Sequence, residues 1–108
     1  MSIQHAKAGE VIHLPLGAAL GNSKTTTLLK TADLELIRLI LPVGKEIPSH
    51  KAPGEITVQC LEGHADFSIA GKSQALLPGQ LIYLAANEPH AVKGIENSSL
   101  LVTLLLPK

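Results

Sequence analysis

The chain has 108 residues, of which 45% are hydrophobic, and its nine Lys and Arg balance its nine Asp and Glu. This length suits one domain with a real core, and the apolar content argues against disorder. A chain with no net charge, one Phe, one Tyr and no Trp lacks the basic surface and stacking aromatics of a nucleic-acid-binding protein.

Short apolar runs, separated by Gly and Pro turns, follow one another along the chain. None has the sustained spacing of three and four residues that a helix needs, and close, regular spacing of short runs predicts an all-β sandwich or barrel. The passage from Pro48 to Gly63 is typical of a strand, a turn and a second strand. The segment "GAALGNSK" is interpreted as a loop or a helical turn. The nine predicted strands are "EVIHLPL", "KTTTLLK", "LELIRLILP", "EITVQCLEG", "ADFSIAG", "SQALLPG", "LIYLAA", "HAVKG" and "SLLVTLLLP".

Two of these runs, "LELIRLIL" and "LLVTLLL", are apolar on both faces. One face of a strand lines the core, so the other must be covered by more of the chain or by another subunit. Zero net charge also promotes association. We therefore expect a homodimer.

Cys60 is the only cysteine, which excludes an internal disulfide and a cysteine-based zinc cluster. One unpaired thiol fits a reducing compartment. The first residues lack the layout of a signal peptide, and the longest apolar run, "LLVTLLLPK", is too short to cross a bilayer. We expect a cytoplasmic protein without membrane contact.

Two spaced motifs surround the histidines of the central region. In the first, Gly44 is followed by five residues and then by His50, and the stretch ends in "CLEG" at Gly63. In the second, "PGQLIYLAANEPHAV" leads from Gly79 to His90. This spacing, over residues 34–106, resembles the cupin family, although Ala, Asn and Gly replace three further residues of the second motif.

The resemblance implies a single-domain antiparallel jelly-roll, or double-stranded β-helix barrel. Residues 1–108 would form one cupin domain. Within it, residues 34–106 would be the conserved barrel, and residues 1–33 would add N-terminal strands or an arm.

Cupins that bind a metal use two histidines and a glutamate of the first motif and the histidine of the second. Matched by position, His50 and His90 are kept, whereas the other two positions hold Ala52 and Ile56. Glu55 lies one residue too early, and a slip of one residue on a strand turns a side chain to the opposite face. Only a bulge, or a strand that begins later, would turn Glu55 inward.

Metal sites of this type usually need three protein ligands. The motif positions supply two, so the donor count favours a pocket without a divalent metal. If a metal is bound, we expect His50 and His90 to hold it together with Glu55 or Glu46. His64 is a further nearby candidate, but its place after the hairpin glycine predicts an exposed turn.

Alternation from Ile56 predicts that Ile56, Val58 and Cys60 face the barrel interior. The pocket would then be apolar, with two imidazoles as its polar contacts, which is typical of a small-molecule site. The predicted pocket residues are His50, Ala52, Ile56, Val58, Cys60 and His90.

Three interpretations of the two histidines remain open. The first is a small-molecule-binding barrel with His50 and His90 lining the pocket. The second is a cupin enzyme with the same residues as catalytic candidates, either a metal-dependent dioxygenase or isomerase, or a metal-free isomerase using histidine acid–base chemistry. The third is a pair left over from a metal-binding ancestor and satisfied by each other, water or the backbone.

The remaining candidates carry weaker signals. Cys60 on an apolar strand is expected to behave as a small core residue, and it would act as a nucleophile only if a pocket histidine reached it. Tyr83 is expected to pack with its hydroxyl in water. His5 and His13 lie outside both motifs and are expected at the surface or an interface.

Overall fold

The computed structural model describes residues 7–14, 16 and 24–107, and within them the chain forms nine β-strands and no helix. All paired strands run antiparallel. The predicted all-β antiparallel jelly-roll barrel is confirmed. The strands are β1 (Thr26–Lys30), β2 (Leu34–Leu41), β3 (Glu46–His50), β4 (Ile56–Glu62), β5 (Ala65–Ile69), β6 (Lys72–Leu76), β7 (Leu81–Leu84), β8 (His90–Gly94) and β9 (Ser98–Leu105).

The strands form two sheets that face each other. The five-stranded sheet has the order β1-β2-β9-β4-β7, and the four-stranded sheet has the order β3-β8-β5-β6. From β2 onward the chain changes sheet at each connection except the β5–β6 hairpin. This alternation is the jelly-roll topology, and the core lies between the inner faces of the two sheets.

The β5–β6 hairpin closes through a two-residue loop. Ala70 and Gly71 both have positive φ, 53° and 78°, which defines the type I′ geometry that matches the twist of two antiparallel strands. Gly71 takes this conformation at little cost because it has no Cβ. This is one of the predicted Gly turns, between the runs "ADFSIAG" and "SQALLPG".

Strand β4 shows how the sequence pattern sets the inner face. Ile56, Val58 and Cys60 are buried, whereas Thr57 and Gln59 alternate with them on the outer face. The inward residues of β4 stand beside inward residues of β9, as in the pairing of Val58 with Val102. Period-two burial therefore holds across neighbouring strands.

The core is tightly filled at one end of the barrel, which we call the packed end. Its side chains are at most 4% exposed, and they come from both sheets. The residues of the packed end are Leu41, Cys60, Ala65, Leu76 and Leu100.

One detail of the strand prediction was wrong. The run "EVIHLPL" forms no strand at residues 10–14 and 16, where Val11 and Leu16 are exposed, because alternation alone supplies no partner strand. Strand β3 is the strand predicted before the turn in the passage from Pro48 to Gly63, and it begins two residues earlier, at Glu46. It is mostly polar and exposed, and its pairing with β8 makes it a strand.

Two predictions concern residues outside the described ranges. They are the segment "GAALGNSK", apart from its last residue Lys24, and His5. His13 is exposed, as expected. None of the described segments forms a helix with the length and apolar character needed to cross a membrane.

Candidate functional site

The other end of the barrel interior contains a cavity of about 260 Å³. We call the part of the barrel that lines it the hollow end. Its wall is apolar except for Thr25, His50 and His90. Three strands of the larger sheet supply two side chains each: Ile37 and Leu39 of β2, Ile56 and Val58 of β4, and Val102 and Leu104 of β9.

The cavity is continuous with the core. On β2, β4 and β9, the next inward residue beyond the cavity belongs to the packed end: Leu41, Cys60 and Leu100. Each of these strands therefore contributes to the cavity over part of its length and to the solid core over the rest. Phe67 of the opposite sheet is buried and also lines the cavity.

The two histidines come from neighbouring strands of the smaller sheet. His50 ends β3, and His90 begins β8 directly opposite it. Their ring centroids are 4.3 Å apart with the rings tilted by 60°. His90 is only 5% exposed, whereas His50 lies on an edge strand and is exposed.

An irregularity in β3 turns His50 inward. Ile47 pairs with Val92, but the next paired residues are His50 and His90, so β3 has one residue more than β8 over this interval. Strict alternation from Ile47 would place Ser49 inside and His50 outside. The extra residue, a β-bulge, reverses that order.

Each imidazole is held by its own backbone. Nδ1 of His50 donates to the carbonyl oxygen of Pro48 at 3.0 Å, and Nδ1 of His90 donates to the carbonyl oxygen of Glu88 at 2.9 Å. The acceptor lies two residues earlier in both cases. These bonds orient the rings and leave Nε2 as the nitrogen available to the cavity.

The structure brings most of the residues predicted for the pocket to the wall of this cavity. The cavity is lined by five of the six predicted residues: His50, Ala52, Ile56, Val58 and His90. The sixth predicted residue, Cys60, does not line the cavity. It lies in the packed end with no exposed surface, and its thiol donates to the carbonyl oxygen of Glu62 at 3.4 Å. Burial raises the pKa of this thiol, as expected for an unreactive core cysteine.

Glu55 points away from the cavity. It precedes Ile56, which faces inward, and its Oε2 accepts a hydrogen bond of 2.8 Å from the hydroxyl of Tyr83 on the outer face. That bond to a carboxylate raises the pKa of Tyr83, because it stabilises the protonated phenol. The bulge that would rescue Glu55 is absent there: Ile56, Thr57 and the residues after them pair with β7 in regular order.

The other candidate ligands are also outside the cavity. Glu46 is exposed and stands opposite Lys93 on β8. His64 contacts Asp66, with 3.2 Å between Nε2 and Oδ1. Among the described residues there is no group of three or more His, Cys, Asp or Glu side chains that could hold a metal ion. The described residues therefore do not supply the four donors of metal-binding cupins, nor the three that such metal sites usually need.

Thr25 is a cavity residue that sequence reasoning missed. It lies just before β1, and its hydroxyl accepts a hydrogen bond of 3.0 Å from the backbone N–H of Ile40. The only available signal was its position in the predicted strand "KTTTLLK", ahead of the region that carries the family spacing.

A two-sheet jelly-roll with paired histidines at one end of an apolar interior is the architecture of a small cupin-type barrel. The family model described as "Cupin domain" matches residues 37–105. The chain belongs to the cupin family.

Solved structures of similar fold include proteins of unknown function and enzymes. A conserved protein of unknown function from Streptococcus pyogenes is 26% identical, with a TM-score of 0.75, and the match covers 100% of this chain and 97% of that one. A cupin superfamily protein from Desulfitobacterium hafniense is 17% identical, with a TM-score of 0.74 and coverage of 77% and 76%. A mutant salicylate 1,2-dioxygenase from Pseudoaminobacter salicylatoxidans is 15% identical, with a TM-score of 0.68 and coverage of 74% and 25%. A search of curated proteins found no match.

Proposed function

We propose that this cupin binds a small, mainly apolar molecule in the cavity of the hollow end, with His50 and His90 as its polar contacts. The observation that carries the proposal is an apolar interior space of about 260 Å³ with two imidazoles in its wall. Small-molecule sites combine such apolar walls with a few placed polar groups. An engineered apolar cavity of about 150 Å³ binds benzene, so this one has room for a substituted single ring.

The residues around the two histidines favour binding over catalysis. A histidine that activates a nucleophile faces a hydroxyl or thiol that it can deprotonate. Both Nδ1 atoms here donate to backbone carbonyls, and no Ser, Cys, Asp or Glu side chain of the described residues lines the cavity. The third polar group in the cavity wall, the hydroxyl of Thr25, already accepts the N–H of Ile40. This arrangement suits two fixed contacts to a ligand.

Filling the cavity tests the proposal. Ala52→Leu adds three carbons to the cavity wall, and Ala86→Leu adds the same atoms at an exposed position. Binding of toluene and p-cresol would be measured by ligand-observed NMR, with thermal melting as the check on folding. We expect the wild type and Ala86→Leu to bind and Ala52→Leu to lose binding. Equal binding by all three proteins would contradict the proposal, and Val58→Phe provides a second filled cavity.

The metal-dependent enzyme is tested separately by elemental analysis. The untagged protein would be measured beside His50→Ala and His90→Ala after anaerobic reconstitution with iron, zinc, nickel and manganese. The two-donor set predicts no stoichiometric metal. A stoichiometric metal in the wild type that disappears in both variants would establish a metal site instead.

Two further expectations belong to this proposal: a homodimer and a cytoplasmic location. Apolar side chains exposed on the outer face of the five-stranded sheet, including Leu81, Tyr83 and Leu105, support the homodimer. The free, buried thiol of Cys60 fits a reducing compartment. Sedimentation of the wild type at the mass of one chain, at micromolar concentration, would contradict the homodimer.

A further inference from the structure

We propose that the ligand of this cavity is an uncharged molecule that donates hydrogen bonds from an apolar body, of which a phenol is the simplest class. This inference rests on the proposed function, since it assumes that the cavity binds a ligand. It goes further by stating which polar groups the ligand must carry.

The first step is the position of the imidazole protons. A backbone carbonyl oxygen can only accept a hydrogen bond. The contacts from Nδ1 to Pro48 O and Glu88 O therefore place a proton on Nδ1 of both His50 and His90. In a neutral imidazole the other nitrogen, Nε2, then carries a lone pair and accepts hydrogen bonds.

The second step is that both rings present the same group to the same space. The two rings line one cavity and their centroids are 4.3 Å apart. Each can offer an Nε2 acceptor there, so two neighbouring acceptors lie in the cavity wall, together with the hydroxyl of Thr25, whose oxygen already accepts the N–H of Ile40. A ligand that only accepts hydrogen bonds would leave Nε2 of the buried His90 unsatisfied in an apolar space, which is costly.

The cavity wall does not favour a charged ligand. No Asp, Glu, Lys or Arg side chain lines the cavity within the described part of the chain. A carboxylate would have to give up its hydration among apolar side chains and two acceptors, with no cation beside it. An O–H group on an apolar ring is a suitable ligand group, because it donates a hydrogen bond to an imidazole acceptor and carries no charge. A catechol could supply one donor to each histidine.

A panel of single-ring probes separates these possibilities. p-Cresol carries a donor, 4-methylanisole replaces it with an acceptor, toluene has neither, and benzoate is an anion. Affinity for the wild type would be measured by ligand-observed NMR and calorimetry at neutral pH. We expect p-cresol to bind at least about tenfold more tightly than 4-methylanisole, the factor expected for one satisfied against one unsatisfied buried polar group.

Variants identify the acceptors. His50→Leu and His90→Leu remove one acceptor each at similar side-chain volume, and His13→Leu is the matched change at an exposed histidine outside the cavity. We expect both cavity variants to reduce the preference for p-cresol over toluene, and His13→Leu to leave it unchanged. Because toluene needs no hydrogen bond, retained toluene binding also shows that a variant is folded.

The outcomes distinguish the two proposals. If no probe binds the wild type, the proposed function fails and the ligand class fails with it. If toluene or 4-methylanisole binds as tightly as p-cresol, or benzoate binds most tightly, the binding cavity stands and the donor-bearing ligand is overturned. A preference for p-cresol that survives when both histidines are replaced, in His50→Leu/His90→Leu, also overturns it.

Discussion

The packed end and the hollow end of this barrel are built from the same strands, yet one is a solid core and the other is a cavity. On β9, Leu100 has no exposed surface, whereas Leu104 lines the cavity only four residues later. Backbones approach closely at both ends: a Cβ on Gly94 would come within 2.6 Å of the carbonyl oxygen of Pro42, and one on Gly54 would meet the carbonyl oxygen of Leu105 more closely still. The side chains therefore make the difference. At the hollow end two imidazoles stand where further aliphatic side chains could have filled the space. Identical apolar patterning can therefore produce either a core or a binding site.

The largest expected effect comes from shortening leucines at the two ends. Leu100→Ala should lower the free energy of unfolding by about 2–5 kcal/mol, because it removes buried carbons and leaves a new void. Leu104→Ala, the same change at the wall of an existing cavity, should cost only about 1–2 kcal/mol. Urea denaturation of both variants measures the difference. Equal losses would mean that the hollow end is as tightly packed as the core.

Enlarging one alanine at each end of the barrel is the opposite test, because it adds atoms instead of removing them. Ala65→Val should destabilise the packed end by about 1–3 kcal/mol, because a filled core has no room for added methyl groups. Ala52→Val adds the same atoms beside the cavity and should change stability by less than about 0.5 kcal/mol. Thermal melting of the two variants would measure both changes in stability. A larger loss at Ala52 than at Ala65 would contradict the comparison.

Thiol reactivity distinguishes the ends without relying on stability. Burial and a raised pKa should make Cys60 react about a thousandfold more slowly with a thiol reagent in the native protein than in urea. Moving the thiol one inward position along β4, with Val58→Cys in a Cys60→Ala background, should increase the native rate. Because Cys60 is the only cysteine, each protein reports one site. Native rates that match for the two positions would show that the cavity does not admit the reagent.

The smallest expected effect concerns the hydrogen bond between Tyr83 of β7 and Glu55, just before β4, on the outer face of the five-stranded sheet. Tyr83 is the only tyrosine and the chain has no tryptophan, so its ionisation can be followed by ultraviolet absorbance. Glu55→Gln should lower the raised pKa of Tyr83 towards its ordinary value, since the carboxylate stabilises the protonated phenol. Glu55→Asp is the control that keeps the charge. An unchanged titration in Glu55→Gln would mean that Glu55 does not contact Tyr83.

This pair also makes a small contribution to pH dependence. The pKa of Tyr83 is higher in the folded chain than in the unfolded one, so its contribution to stability is complete below the unfolded pKa of about 10. It is lost as the pH rises through the folded pKa. Glu55→Gln should reduce this alkaline loss, which denaturation midpoints at several pH values would show.

Particular residues show how far sequence reasoning could go. Alternation along β4 predicted that Ile56 faces inward, because the side-chain period of a strand is fixed. It left the direction of Glu55 open, and the regular pairing of β4 with β7 decided it. The same rule gave the correct face for Cys60 but could not show where along that face the cavity ends. His50 was found only through the family spacing, since strict alternation from Ile47 would have placed it outside.

The sequence by itself determined most strands of the barrel, the family and the two histidines, because these depend on local periodicity, turn residues and spacing. Only the tertiary structure decided which inward side chains meet across the sheets and which leave a space between them. It also decided the proton positions on His50 and His90, because these depend on carbonyl groups brought to each Nδ1 by the local backbone. Depth within a core and the direction of a hydrogen bond depend on three-dimensional contacts, which a one-dimensional pattern does not contain.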